Sequence, residues 1–215
     1  MDYQRLYEFR FRNVDQTGRT EVWESVAWFL HQRLGDPATV LDPAAGSCEF
    51  INSVPAKERW AVDRTAYVEA QIDPNVKLIL SDIMEAELPA GYFEGALISN
   101  FLEHLPNPDA IHEFLRRMHG WMASGGRIAI LGPNYRYCSR TYWDFADHWV
   151  ALTHLAIEEH LAAAGFEVYE TTPQFLPFSF TGRLPASRHL TGLYLRTPLA
   201  WRLFGKQFLV IGRRP

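Results

Sequence analysis

The stretch Ala38-Thr-Val-Leu-Asp-Pro-Ala-Ala-Gly-Ser-Cys-Glu-Phe50 sets the frame for the rest of the chain. Thr39, Val40 and Leu41 form an apolar, β-branched run that ends in an acid and then in small residues. That is the pattern of a buried strand turning sharply into a helix. About twenty residues on, Arg59-Trp-Ala-Val-Asp-Arg64 repeats the pattern and again ends in an acid. The spacing is that of a βαβ nucleotide-binding unit, with Asp63 placed to accept hydrogen bonds from ribose hydroxyls.

Working outward, the alternation continues. Upstream, Val22, Trp23, Val26, Ala27, Phe29, Leu30 and Leu34 recur at helical spacing over Glu21–Leu34, predicting an amphipathic helix that covers one face of a sheet. Downstream, short helices are expected at 50–54 and 66–72, a third strand at Val76–Asp82 and a fourth at Gly95–Phe101. A helix follows over Pro108–Ala123, stopped by Ser124-Gly-Gly126, and then a fifth strand at Arg127–Gly132. A helix at His154–Ala164, a sixth strand at Phe166–Thr172 and a last strand at Gln207–Gly212 complete the set. Strands alternating with helices, at roughly thirty residues per unit, predict an α/β fold with a mainly parallel sheet wrapped on both faces.

These landmarks, in this order, resemble the class I S-adenosylmethionine (SAM) dependent methyltransferases, whose first strand ends in an Asp/Glu-x-Gly-x-Gly-x-Gly pattern. Here that pattern is Asp42-Pro-Ala-Ala-Gly-Ser-Cys48: Gly46 keeps the middle glycine, while Ala44 and Cys48 stand at the first and third positions. Both substitutions weaken the match, because alanine tolerates positive φ poorly and Cys48 adds a side chain where a backbone must pass close to a ligand; SAM is expected to bind all the same, since Gly46, Asp63 and Asp82 remain at three successive strand ends. The resemblance implies a Rossmann-like seven-stranded sheet with an antiparallel last strand, and SAM as cofactor. It implies a cofactor site of Asp42, Ala44, Gly46, Asp63, Arg64, Asp82, Ile83 and Asn100, with Asp82 on the adenine amino group, Ile83 against the ring and the Asn100 strand end near the methionine portion.

Length and 47% hydrophobic content suit one core, so one domain over 1–215 is expected. It divides into an N-terminal arm and helix (1–35), a cofactor-binding core (36–172), an acceptor-side insertion (173–206) and the last strand (207–215). No run of about eighteen apolar residues and no basic-apolar leader is evident, which points to a cytoplasmic protein without a transmembrane segment. Cys48 and Cys138 are too far apart in sequence for a paired motif and are expected to be free thiols. The net charge of −4 conceals an asymmetry: residues 171–215 carry seven Lys and Arg and no acid, while the first 170 residues hold 14 basic residues against all 25 acids.

Tyr3, Tyr7, Phe9 and Phe11 alternate with arginines at the N-terminus, but the acidic bulk of the chain argues against nucleic acid, leaving an arm packed over the domain. The segment Pro133–Trp149 is denser in aromatic and titratable residues than a connecting loop needs, and it follows a strand end, where open α/β sheets bind ligands. It is expected to form the acceptor wall, with Tyr135, Tyr142 and Trp143. The cationic segment 176–206 is expected to lid the acceptor pocket, Arg183, Arg188 and Arg196 attracting an anionic acceptor or an anionic membrane surface.

Methyl transfer needs no metal, and no ligand-spaced His/Cys cluster stands out, so none is expected. A hydroxyl acceptor needs a base; His104 and His148 are the candidates, and the neighbouring Asp147 favours His148. The leading expectation is a methyltransferase acting on a small-molecule hydroxyl, as monomer or homodimer. The alternatives are a methyltransferase-derived binding protein without turnover and an NAD-dependent oxidoreductase, which wants the glycines missing here.

Overall fold

The computed structural model describes residues 5, 6, 9, 10, 12, 16–178 and 187–215. Tyr3, Tyr7 and Phe11 of the arm, and Arg183, Leu184 and Pro185 of the insertion, lie outside the described residues. Seven strands form one sheet: β1 (Thr39–Asp42), β2 (Glu58–Asp63), β3 (Lys77–Leu80), β4 (Phe93–Ser99), β5 (Met122–Pro133), β6 (Glu167–Thr172) and β7 (Gln207–Arg213). Their order is β3-β2-β1-β4-β5-β7-β6. The first five pair in parallel, and β7 runs antiparallel between β5 and β6. The expected Rossmann-like, mainly parallel sheet with an antiparallel last strand is therefore present.

Alternation along the strands builds two apolar layers, because successive strand side chains point to opposite faces. Leu41, Ala96, Ile98, Ile128, Ile130 and Val210 face one way, packing on Ile111, Phe114, Leu115 and Met118 of α3 (Pro108–Trp121) and on Ile157 and Leu161 of α5 (His154–Ala163). Val40, Leu97, Ala129, Leu131, Leu209 and Ile211 face the other way, onto Trp23, Val26, Ala27 and Leu30 of α1 (Gln16–Arg33). A short α2 (Glu49–Ser53) follows β1, and α4 (Tyr135–Cys138) follows β5. In the insertion, α6 (Arg188–Leu195) and α7 (Pro198–Phe204) lie on the α1 side through Leu195 and Trp201. No helix among the described residues is long and apolar enough to cross a membrane.

Three local expectations shift. The helix expected to run to Ala123 ends at Trp121, and Ser124-Gly-Gly126 belongs to β5 rather than to a helix cap. The reason is a bulge where β5 leaves Phe93 and rejoins at Gly95: Gly125 takes φ +79, and a Cβ on Gly126 would sit 2.9 Å from the carbonyl oxygens of Ala123 and Phe93. Residues 66–72 form only a 3-10 turn, Ala66–Ala70. Strand β3 stops at Leu80, two residues short of Asp82, where the chain turns and the Asp82 carbonyl accepts from Glu85 and Ala86.

Phe114 is fully buried and meets the Phe101 ring edge-on at 5.1 Å, joining α3 to the end of β4. Phe114→Ala is expected to lower unfolding free energy by about 3–5 kcal/mol through lost burial and a residual cavity, measured by urea denaturation.

Candidate active site

The sheet order reverses between β1 and β4, and ligands of such sheets bind beyond the carboxyl ends at that point. A cleft of about 580 Å³ opens there. It is lined by Asp42, Ala44 and Gly46 after β1, Asp63 and Arg64 after β2, Asp82 and Ile83 after β3, and Asn100 and His104 after β4. All eight residues expected to hold the cofactor are thus brought to one cavity by four successive strand ends, from positions as far apart as 42 and 100.

The turn after β1 is built differently from its sequence reading. Gly46 takes φ +52, and where a Cβ would stand nothing lies within 4 Å, so its backbone faces open cleft. Cys48 takes the left-handed position at φ 61, yet its side chain is fully buried in the α1-side core and does not line the cleft. Ala44 has no positive φ. The two departures from the glycine pattern therefore leave the cleft wall clear: one residue needs no glycine, and the other turns its side chain inward.

Asp63 Oδ2 accepts from the Gly46 amide at 2.8 Å, while Oδ1 accepts from the Thr65 amide and hydroxyl at 2.8 and 2.7 Å. Three of the roughly four lone-pair positions of the carboxylate are occupied by the protein, leaving room for one ligand hydroxyl. Asp82 Oδ1 accepts from the Met84 amide at 2.9 Å, capping its own turn, and Oδ2 lies 3.7 Å from Arg64 Nη1. Asn100 takes φ 48 and donates its amide to Leu131 at 2.8 Å, a left-handed position that asparagine tolerates better than most side chains.

At the other end of the cleft stands His104. Its Nδ1 lies 2.8 Å from the Asp147 carbonyl oxygen, which can only accept, so Nδ1 carries the proton and Nε2 is left as the ring's acceptor. Asp147 also faces His104 with its carboxylate, Oδ2 at 3.4 Å, and its Oδ1 accepts from the Arg10 guanidinium. Burial pushes the Asp147 carboxyl up, but the Arg10 hydrogen bond and the charges of His104 and Arg10 hold it below its usual range.

Asp147, expected to orient His148, thus turns instead to His104. His148 does not line the cleft: it stacks on Phe145 at 4.9 Å, and burial, then the His104 charge, push its pKa down to about 4. Glu103, His104 and His148 nevertheless come together, one ligating atom of each within 4.8 Å of the others, a grouping that spans 45 positions and that sequence spacing did not reveal.

The expected acceptor wall is placed differently. Tyr142 is fully buried, its hydroxyl donating to Val150 at 2.6 Å and accepting from Leu152 at 3.2 Å. Tyr135 and Trp143 pack edge-on around it, at 5.3 and 5.2 Å. None of the three lines the cleft; Trp149 does, its backbone amide donating to the Glu103 carbonyl oxygen at 2.8 Å. Arg188 and Arg196 line a separate groove between α1 and α6, where Arg188 pairs with Glu24 at 3.6 Å. The cleft gains instead Arg10 from the arm, and Arg19 and Trp23 from α1, with Arg19 ion-paired to Glu49. No local motif marks these arginines; the alternation of Arg and aromatic residues in the arm was the one available signal.

No protein-family model matches the chain, and no curated protein matches it. Solved structures do. A SAM-dependent methyltransferase from Archaeoglobus fulgidus superposes with a TM-score of 0.69 at 19% identity, over 99% of this chain and all of that one. The N-methyltransferase NodS from Bradyrhizobium japonicum, in complex with S-adenosylhomocysteine, gives 0.60 at 16% identity, over 87% and 84%. The [4+2]-cyclase SpnF gives 0.63 at 14% identity, over 89% and 80%. The chain has the fold of the class I SAM-dependent methyltransferases.

Asp42 lies beneath the turn, where burial pushes its carboxyl up to about 8, partly opposed by the Ala44 amide. The folded state therefore holds it neutral. Its contribution to stability is whole below the unfolded pKa near 4 and is lost as pH rises toward 8. Asp42→Asn keeps the acceptor for Ala44 without the titration. Relative to this variant, the wild type should lose roughly 2 kcal/mol or more of unfolding free energy between pH 4 and 8, read by denaturant titration across that range.

Proposed function

We propose that the protein is a SAM-dependent methyltransferase that methylates a small-molecule acceptor, a hydroxyl in the favoured reading. The observation that carries this reading is the chemistry of the cleft. Four carboxyl groups, Asp42, Glu49, Asp63 and Asp82, surround the turn and the strand ends, against Arg10, Arg19 and Arg64. A ligand bearing a sulfonium and an ammonium beside one carboxylate suits such a lining. A dinucleotide pyrophosphate does not, because the Asp63 carboxylate already accepts from the Gly46 amide, and Glu49 stands beside the same turn, where the phosphates would have to sit. This favours SAM over NAD.

The residues fit the cofactor: the space over Gly46 is open, Asp63 retains an acceptor position for a ribose hydroxyl, and Asp82 Oδ2 is available near Ile83 for an adenine amino group. When bound, SAM supplies the activated methyl group. The chain's own part is to hold the nucleophile in line and to remove its proton. His104 is the proposed base: Asp147 holds its Nδ1–H, and Nε2 is free to accept a hydroxyl proton at the cleft. Arg10, on Asp147, carries the arm over that end of the cleft and excludes water. His148, buried and held far below neutrality, supports the ring packing.

Calorimetry is expected to show SAM and S-adenosylhomocysteine binding and no NAD binding. Asp63→Ala should weaken SAM binding by roughly 1–3 kcal/mol, as for loss of charge-assisted hydrogen bonds. A wild type that ignores SAM overturns the reading. On a panel of hydroxyl acceptors, His104→Ala is expected to lower turnover about 100-fold with SAM affinity unchanged, while His148→Ala, corrected for folded fraction, stays within a few-fold. Turnover should survive a chelator, since the proposed step uses no metal at Glu103, His104 and His148; loss of activity restored by a divalent cation would reassign that cluster.

A further inference from the structure

Helices α6 and α7 present an unusual surface. Leu190, Leu193, Leu199, Leu203 and Phe204, five large apolar side chains within fifteen residues, are all exposed, Leu199 and Leu203 at 67% and 70%. Single exposed leucines are ordinary, but a group of this size marks a surface meant to be covered. The helices are not loosely attached. Trp201 packs edge-on against Phe29 at 5.9 Å and Phe175 at 5.2 Å, and the Tyr194 hydroxyl donates to the Phe175 carbonyl at 2.5 Å. With Trp201 turned inward, Leu199 and Leu203, four residues apart, stand one above the other on the outward face of α7.

Cations surround the leucines. Arg196, Arg202 and Lys206 are exposed, and none forms an ion pair among the described residues, whereas Arg33, Arg59 and Arg116 elsewhere on the surface do. Residues 171–215 contain no acid, while the remainder of the chain is strongly acidic. Exposed leucines among unneutralised cations are what an interfacial helix offers to a membrane, the leucines entering the headgroup boundary and the cations meeting anionic headgroups. The net acidic remainder would be repelled by the same headgroups, which favours approach by this face.

From this combination we infer that α6 and α7 form a docking face for an anionic lipid bilayer. The face is tied to the cleft by topology. Helix α7 leads directly into β7, whose Gln207 pairs with Pro133 at the carboxyl end of β5, and Lys206 accepts from the Asn134 amide at 2.9 Å. The end of α7 therefore sits at the same end of the sheet as the cleft, so docking holds that end toward the membrane. The two helices are short, eight and seven residues, and the attachment is peripheral and reversible.

Vesicle co-sedimentation tests this without SAM or acceptor, so its outcome is independent of the methyltransferase reading. The protein is expected to bind phosphatidylcholine vesicles containing phosphatidylglycerol about tenfold more than phosphatidylcholine alone at low salt, and less as NaCl is raised. Leu199→Ser with Leu203→Ser should abolish binding while leaving the thermal unfolding midpoint unchanged, since both side chains are solvent-exposed. Arg202→Glu with Lys206→Glu should remove the preference for anionic lipid. Wild-type protein that stays in the supernatant with anionic vesicles overturns the inference, as does a double serine variant that sediments like the wild type. A dimer in light scattering that the serine variant dissociates, with no vesicle binding, would reassign the face to a second copy of the chain.

Discussion

The hydrogen bond from the Gly46 amide to Asp63 Oδ2 joins the first turn of the sheet to the end of its neighbouring strand, and the cleft depends on it. A strand normally stops contributing lateral bonds where its ladder ends. Here the stitching continues past the ladders: the Ala45 amide donates to Val62, Ser81 to Asp63 and Asn100 to Leu131, at 3.1, 2.9 and 2.8 Å. Four loops that would otherwise splay into solvent are held as one rim. The burial of Cys48 serves the same end, because its left-handed backbone bends the chain while its side chain anchors the bend in the core. The loops of the rim are hydrogen-bonded to one another before any ligand arrives, which lowers the ordering cost of binding.

The opposite wall depends on charge rather than on backbone. Arg10, Asp147 and His104 form a chain across 137 positions of sequence, with the Asp147 side chain almost wholly removed from water. A buried carboxylate is costly unless paired, and the Arg10 guanidinium beside Asp147 is the charge that keeps it ionised. In return, the arm is held over the cleft and the imidazole is held in one tautomer. The position of the arm and the orientation of the imidazole are thereby coupled through one carboxylate.

The fold by itself does not choose a reaction. The structures it resembles include an N-methyltransferase and a [4+2]-cyclase, at identities too low to carry activity across. What narrows the reading here is the local chemistry of the cleft, an acid-rich lining at a turn that dinucleotide enzymes keep for phosphate. The far end of the cleft is lined by Trp149, His104 and Arg10.

The sequence alone determined the sheet and the strand ends that line the cleft. An apolar β-branched run closed by an acid is a local pattern, and period-two alternation decides which face each residue joins, so Asp42, Asp63 and Asp82 could be placed from their neighbours in the chain. The partner of Asp147 was not legible in that way. Asp147 is adjacent to His148 in sequence but reaches His104, because the loop from Pro133 to Trp149 folds around a buried Tyr142 that draws His148 into its aromatic packing. The aromatic density of that loop looked like a ligand wall and proved to be largely a small core of its own. Arg188 was equally undetermined: its partner, Glu24, lies 164 residues away on α1. Strand pattern is written in neighbouring residues, whereas the pairing of charges and the direction of a histidine ring depend on which distant segments pack together, and that only the tertiary structure decided.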